Sequence, residues 1–271
     1  MAWFEHGGGR IHYEQEGSGE SVLVLPGWAG SIDEFVPIRT ALSAQFRVIA
    51  ADLPGSGRSG PQPRDYTPTY FHDDAETFLA LLEDRDAGPA HIVGFSDGGE
   101  VALLMATSRP DVVRSVVAWG AAGQLVAPPE MLDAFYHLID HPIPPLQDFA
   151  TYLTASYGEE NARAMTRSES NALRAIIAAG GDISRSQAAS MTCPVLLLTG
   201  EHDPFCPPAL VSGFADEIPL GKFVRVDGVG HDIHTARPTW LANTVANWLE
   251  SLSSSTHDYS RHHEQVAHQS A

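Results

Sequence analysis

Apolar residues recur along the chain in short unbroken runs, each stopped by glycine, proline or a small polar residue. Val22-Leu23-Val24-Leu25, ended by Pro26-Gly27, is the clearest. A run without polar alternation predicts a strand buried on both faces, and therefore a parallel sheet covered by helices. The signature returns at Val48-Ile49-Ala50-Ala51, Ile92-Val93-Gly94-Phe95, Ser115-Val116-Val117-Ala118-Trp119, Val195-Leu196-Leu197-Leu198 and Phe223-Val224-Arg225-Val226. Two more polar stretches near the start, Trp3–His6 and Arg10–Gln15, flank Gly7-Gly8-Gly9. They read as a hairpin, because glycine takes the positive φ of a tight turn at low cost.

Between the runs the apolar spacing becomes helical, roughly over Glu34–Ala44, Tyr70–Asp84, Gly99–Ser108, Pro208–Glu217 and Thr239–Leu252. Strands alternating with helices predict an α/β fold with a mostly parallel, doubly wound sheet and right-handed crossovers. The alternation lapses from about Gln124 to Ala189, where helical pieces are separated by Pro128-Pro129, Pro142, Pro144-Pro145 and Gly180-Gly181. The expected organisation is a core of 1–123 and 190–252 with a helical cap over 124–189. Ligands of open α/β sheets bind at the carboxyl edge of the strands, so an insertion there should shape the pocket. The polar tail, 253–271, lacks any period and is expected to be disordered. Its histidines, His257, His262, His263 and His268, are read as solvated rather than as metal ligands.

The strongest chemical signal is Gly94-Phe95-Ser96-Asp97-Gly98-Gly99, a G-x-S-x-G sequence between a predicted strand and a predicted helix. That context forces a sharp turn that exposes the serine hydroxyl at the sheet edge, so Ser96 is the candidate nucleophile. A serine needs a base oriented by an acid. The acid should follow a later strand, where Thr199-Gly200-Glu201-His202-Asp203-Pro204 stands; Asp203 is preferred over Glu201. The base should follow the last strand, in Asp227-Gly228-Val229-Gly230-His231-Asp232; His231 is preferred over His234. An oxyanion hole takes two backbone N–H groups, expected from Asp97, next to the nucleophile, and from Trp28 in Pro26-Gly27-Trp28-Ala29-Gly30-Ser31. The Trp28 side chain is a candidate wall of the acyl pocket or a plain packing residue.

Composition narrows the partners. The chain has 271 residues and a formal charge of −18, with Lys222 its one lysine. Such acidity repels phosphates, which argues against nucleic acid and anionic membrane; it reads first as a solubility trait and second as a mild preference for cationic substrates. No apolar run approaches the ~20 residues of a membrane helix. The first residues lack a basic stretch followed by an apolar one, so no secretory signal is expected. Cys193 and Cys206 read as free thiols of a reducing compartment, and the expected location is cytoplasmic. No cofactor or metal is called for. The expected partner is a small-molecule ester, and the oligomeric state is not specified by the sequence.

With these residues placed, the stretch from about Phe4 to Leu252 resembles the α/β-hydrolase superfamily. Asp52-Leu53-Pro54-Gly55-Ser56-Gly57-Arg58-Ser59 looks like its D-x-x-G-x-G-x-S loop, and Gly200-Glu201-His202-Asp203-Pro204 like its acid loop. One departure is Pro26-Gly27 where His-Gly is common, which leaves a backbone donor intact. Leu25-Pro26-Gly27, Gly94–Gly99 and Ala118-Trp119-Gly120-Ala121 are similar to the biphenyl-hydrolase-like serine esterases, the group of valacyclovir hydrolase. That resemblance implies that the carboxylate of Asp97 holds the α-amino group of an amino-acid ester. The same triad could also serve thioester, lactone, amide or C–C bond hydrolysis, or perhydrolysis. A receptor that binds ligand without efficient turnover is the alternative of another class.

Overall fold

The computed structural model describes residues 2–267, with side chains through Ser253. The side chains of His257, His262 and His263, and all of His268, lie outside the described residues.

Eight strands form one sheet: β1 (Ala2–His6), β2 (Gly9–Gly17), β3 (Ser21–Leu25), β4 (Arg47–Ala51), β5 (Ala90–Phe95), β6 (Val113–Trp119), β7 (Val195–Gly200) and β8 (Gly221–Val226). Their order is β1-β2-β4-β3-β5-β6-β7-β8. Only β2 runs against its neighbours; from β4 to β8 every pairing is parallel. Strands β3, β5 and β7 are buried at every residue, whereas the edge strands β1 and β8 are largely open to solvent. The unbroken apolar runs thus mark strands covered on both faces at β3, β5 and β7, but not at Phe223–Val226, because β8 is the edge strand and only its Val226 is buried.

Helices α1 (Val36–Ser43) and α9 (Pro238–Ala267) cover one face; α2 (Tyr70–Asp84), α3 (Asp97–Ser108) and α7 (Pro208–Glu217) cover the other. Successive residues of a strand serve opposite cores. Val22, Val24, Val117 and Leu198 pack under α1 and α9, while Leu23, Leu25, Val116 and Leu197 pack under α2 and α3. Between β6 and β7 lie α4 (Pro129–Tyr136), α5 (Gln147–Tyr157) and α6 (Glu159–Ala178), which carry a small apolar cluster of their own. A short helix, α8 (Ile233–Ala236), precedes α9.

The strand expected over Arg10–Gln15 is longer, because Glu16 and Gly17 still pair with Val48 and Arg47 while the polar side chains face water. The helix expected from Gly99 starts at Asp97, directly after the nucleophile candidate. The last helix runs on to Ala267, into the stretch from Ser253 expected to lack regular structure.

Candidate active site

Ser96 follows β5 immediately and adopts φ 51°, ψ −119°, a conformation a residue with a Cβ rarely takes. Glycines make room for it. A Cβ on Gly94 would run into the carbonyl of Gly98, and one on Gly98 into the carbonyls of Pro26 and Leu25. The Ser96 N–H donates to the Trp119 carbonyl at 2.9 Å, which ties the turn to β6.

Asp203 lies in the loop after β7 and is 4% exposed. Its Oδ1 accepts the backbone N–H groups of Phe205 and Cys206, each at 2.9 Å. Its Oδ2 stands 3.3 Å from the Thr199 hydroxyl and 2.8 Å from His231 Nδ1. Burial opposes ionisation here, but the hydrogen bond and charge of His231, aided by the two amides, outweigh it and hold the carboxyl below its usual range. His231 comes from the loop after β8, and its Nε2 is 3.0 Å from Ser96 Oγ. With Nδ1–H donating to Asp203, Nε2 is left to accept the serine proton. Room for the ring is made at Gly120 (φ 65°), where a Cβ would lie 2.6 Å from His231 Cε1.

The structure therefore brings together Ser96, His231 and Asp203, and not the two competitors. Glu201 accepts the Gly228 N–H at 3.0 Å instead. His234 sits in α8, where it accepts from the Trp119 indole at 3.5 Å and stands 3.6 Å from Glu34.

The Trp28 N–H is presented by a turn closed by Gly30 N–H on the Gly27 carbonyl, 3.1 Å, with Ala29 at φ 56° in the third position. Positive φ there is the mark of a type II turn. Ala29 is held from three sides. Its N–H donates to the Ser56 hydroxyl at 3.0 Å, and its carbonyl accepts the hydroxyls of Tyr157 at 2.7 Å and Tyr152 at 3.0 Å, both from α5. Tyr157 also accepts the Gly57 N–H at 2.8 Å. Among the described residues, no protein acceptor takes the N–H of Trp28 or of Asp97. The Trp28 ring lies edge-on to Phe149 of α5 at 5.9 Å and lines the cavity, so it both packs and forms a wall.

A cavity of about 680 Å³ borders these groups, lined by Trp28, Ser96, Asp97, Glu169, Phe205 and His231 among others. This volume suits a ligand of ordinary small-molecule size. The Asp97 carboxylate faces it and accepts the Tyr70 hydroxyl at 3.0 Å. Burial, chiefly, raises Asp97 to about 7, against the lowering effect of the tyrosine. Glu100, one turn further along α3, accepts the N–H groups of Ala122 and Gly123 and is raised by burial to about 7. Sequence reasoning missed Tyr70, Tyr152, Tyr157, Glu100 and Glu169. None of them belongs to a motif, and what sets them apart is tertiary: burial for Tyr70, Tyr157, Glu100 and Glu169, and the reach to Ala29 for Tyr152.

The profile of the α/β hydrolase family matches residues 22–244, and the chain belongs to that family. It is a hydrolase. It is 31% identical over 204 residues to the human serine hydrolase BPHL, an alignment covering 74% of this chain and 69% of that protein. It is 27% identical over 241 residues to a pimeloyl-[acyl-carrier protein] methyl ester esterase of Nitrosomonas europaea, covering 82% of this chain and 92% of the relative. Among solved structures, the enol-lactonase of Burkholderia xenovorans superposes with a TM-score of 0.76 at 20% identity, over 92% of this chain and all of the other. At that identity the likeness speaks for the fold alone.

Proposed function

We propose that the protein hydrolyses carboxylic esters of small molecules by two-step acyl transfer, with Ser96 as nucleophile, His231 as base and Asp203 as its orienting acid. The observation that carries the reading is the continuous chain from Ser96 Oγ through His231 to Asp203, with links of 3.0 Å and 2.8 Å. Ser96 Oγ attacks the ester carbonyl carbon as its proton passes to His231 Nε2. The tetrahedral oxyanion is held by the N–H groups of Trp28 and Asp97, each worth about 3 kcal/mol in the transition state. Collapse expels the alcohol, which leaves with the proton from His231. Water then gives a proton to the same nitrogen and attacks the acyl carbon, releasing the acid and returning the proton to Ser96.

Within this class the reading favours amino-acid esters. The Asp97 carboxylate is adjacent to the nucleophile and borders the cavity, where a substrate ammonium would gain a charge-assisted hydrogen bond. The helical segment 124–189 acts in this reading as the cap that shapes the acyl site, and the two unpaired cysteines fit a reducing, cytoplasmic location. Turnover of p-nitrophenyl butyrate tests the core of the proposal, and Ser96→Ala retaining full activity would overturn it. A panel of ester, thioester and β-diketone substrates ranks the bond types. Covalent capture of a ligand without steady-state turnover would instead favour the receptor reading.

A further inference from the structure

Acyl transfer leaves one buried carboxyl on the cavity wall without a task. Glu169 lies in the second half of α6, is only 4% exposed, and borders the cavity. Among the described residues its Oε2 has no hydrogen-bond partner, and no arginine, lysine or histidine is ion-paired with it. Arg167, two positions earlier, is held by Asp140 at 2.9 Å, and Arg64 by Asp74 at 2.6 Å. Leu173 and Ile177, one and two turns on along the same helix face, also line the cavity and offer no donor of their own.

A carboxyl in that setting keeps its proton. Burial, and then the negative charge of Asp97, push Glu169 well above its ordinary range. The protonated group is an O–H donor, and a buried donor left without an acceptor is costly. An apolar setting that holds a carboxylic acid neutral is also what lets such a group donate a hydrogen bond to a ligand. The part of the substrate it meets follows from the path of the proton. In the proposed mechanism the leaving alcohol takes its proton from His231 Nε2, and so departs past the ring that Phe205 meets edge-on at 5.0 Å. Glu169 instead shares its wall with Asp97, whose charge acts on it, and faces the acyl part.

We propose that Glu169 donates a hydrogen bond to an oxygen acceptor carried along the acyl chain of the substrate, beyond the ester carbonyl, and thereby selects oxygenated over plain alkyl acyl groups. This rests on the esterase reading above and narrows its acyl class. The acceptor is a neutral oxygen, as in a ketone, an amide or a hydroxyl. An ammonium has donors only and gives this proton no acceptor, so the subsite is separate from the role proposed for Asp97. A plain alkyl chain beside Glu169 shuts its O–H away from any partner, whereas a carbonyl oxygen satisfies it. A site built around a buried hydrogen bond rejects the analogue lacking it far more strongly than an apolar wall distinguishes one methylene.

The test pairs p-nitrophenyl 4-oxopentanoate with the pentanoate, and p-nitrophenyl 5-oxohexanoate with the hexanoate, in wild type, Glu169→Gln and Glu169→Leu. The intrinsic reactivity of each ester is common to the three proteins, so comparison between them cancels it. Wild type should favour the oxo ester by kcat/KM in at least one pair. Glu169→Gln, whose amide N–H still donates, should keep that preference within about threefold, and Glu169→Leu should lose it by about tenfold. A preference unchanged within about twofold in Glu169→Leu, or lost equally in Glu169→Gln, overturns the proposal. Should Glu169→Leu fail to fold, calorimetric Kd values of the same pairs for Ser96→Ala decide. Tighter binding of an oxo ester supports the subsite, and equal values in both pairs overturn it. If wild type hydrolyses none of the four esters, the esterase reading fails by itself, and the Kd comparison still tests the subsite.

Discussion

Ser96 and Asp203 stand on loops at the ends of β5 and β7, strands buried on both faces, and His231 on the loop after the half-open edge strand β8, whereas Glu169, Tyr152 and Tyr157 stand on helices that pack around a separate cluster of Leu138, Ala150, Leu153, Ala162 and Met165. The two walls also differ in how their polar atoms are satisfied. On the loop side Asp203 accepts two amides and the imidazole and stands beside a hydroxyl, so its geometry is over-determined. On the helical side Glu169 Oε2 and Ser170 Oγ are buried without partners. In the proposed mechanism the loop wall carries the reaction and the helical wall shapes what enters it.

The largest test of that division is Ser96→Ala, which should lower p-nitrophenyl butyrate turnover by on the order of 10⁴-fold or more while leaving the melting temperature near wild type. Comparable loss from a change on the helical wall alone would erase the contrast. Asp203→Asn should cost roughly 10³–10⁴-fold in kcat, because an amide no longer fixes the imidazole tautomer. The stopped assay is the same one.

Glu100 sharpens the comparison, since it belongs to α3 on the sheet side yet has one oxygen, Oε2, without a partner. Its carboxyl, ordinarily near 4.5, is raised to about 7, so between those values the folded protein keeps a proton that the unfolded chain has released. Stability therefore falls as pH rises through this window, by at most about 3 kcal/mol from this group. Glu100→Gln cannot ionise and should gain stability relative to wild type between pH 5 and pH 8 in urea denaturation. A constant difference across that range would assign the retained proton elsewhere.

The smallest effect concerns the joint between the walls. Tyr157→Phe removes the hydroxyl shared by Ala29 and Gly57, and should lower kcat about tenfold with KM little changed, because the turn presenting the Trp28 N–H loosens. A rise in KM with kcat intact would show that the hydroxyl serves binding rather than the oxyanion.

What could be read from the sequence follows the same division. The parallel sheet was legible because strands covered on both faces carry unbroken apolar runs, and Ser96 and Asp203 were legible because each follows such a run; His231 follows the edge strand β8, whose run Arg225 interrupts. Strand β2 was underestimated at its polar end, where backbone pairing continues beyond the apolar residues. The start of α3 at Asp97 was hidden by Gly98-Gly99, which look like loop but are needed where the turn meets Leu25 and Pro26, at Gly98, and Ala121, at Gly99. Glu169 sits in Arg167-Ser168-Glu169-Ser170-Asn171, a stretch that locally resembles a solvated helix face. Its burial depends on how α6 lies over the sheet edge, a tertiary fact with no local signal. The tyrosine contacts to Ala29 were equally silent, since any hydroxyl can reach a backbone carbonyl.

The grip of two α5 hydroxyls on a single backbone carbonyl constrains anyone who would re-engineer this enzyme. A foreign insert spliced between residues 123 and 190 would bring new walls to the cavity, but unless it carried tyrosines able to reach Ala29 it would also loosen the turn that carries the proposed Trp28 donor. On the proposed mechanism, substrate scope and turnover rate are joined at this one turn, and swapping modules to broaden the first should slow the second.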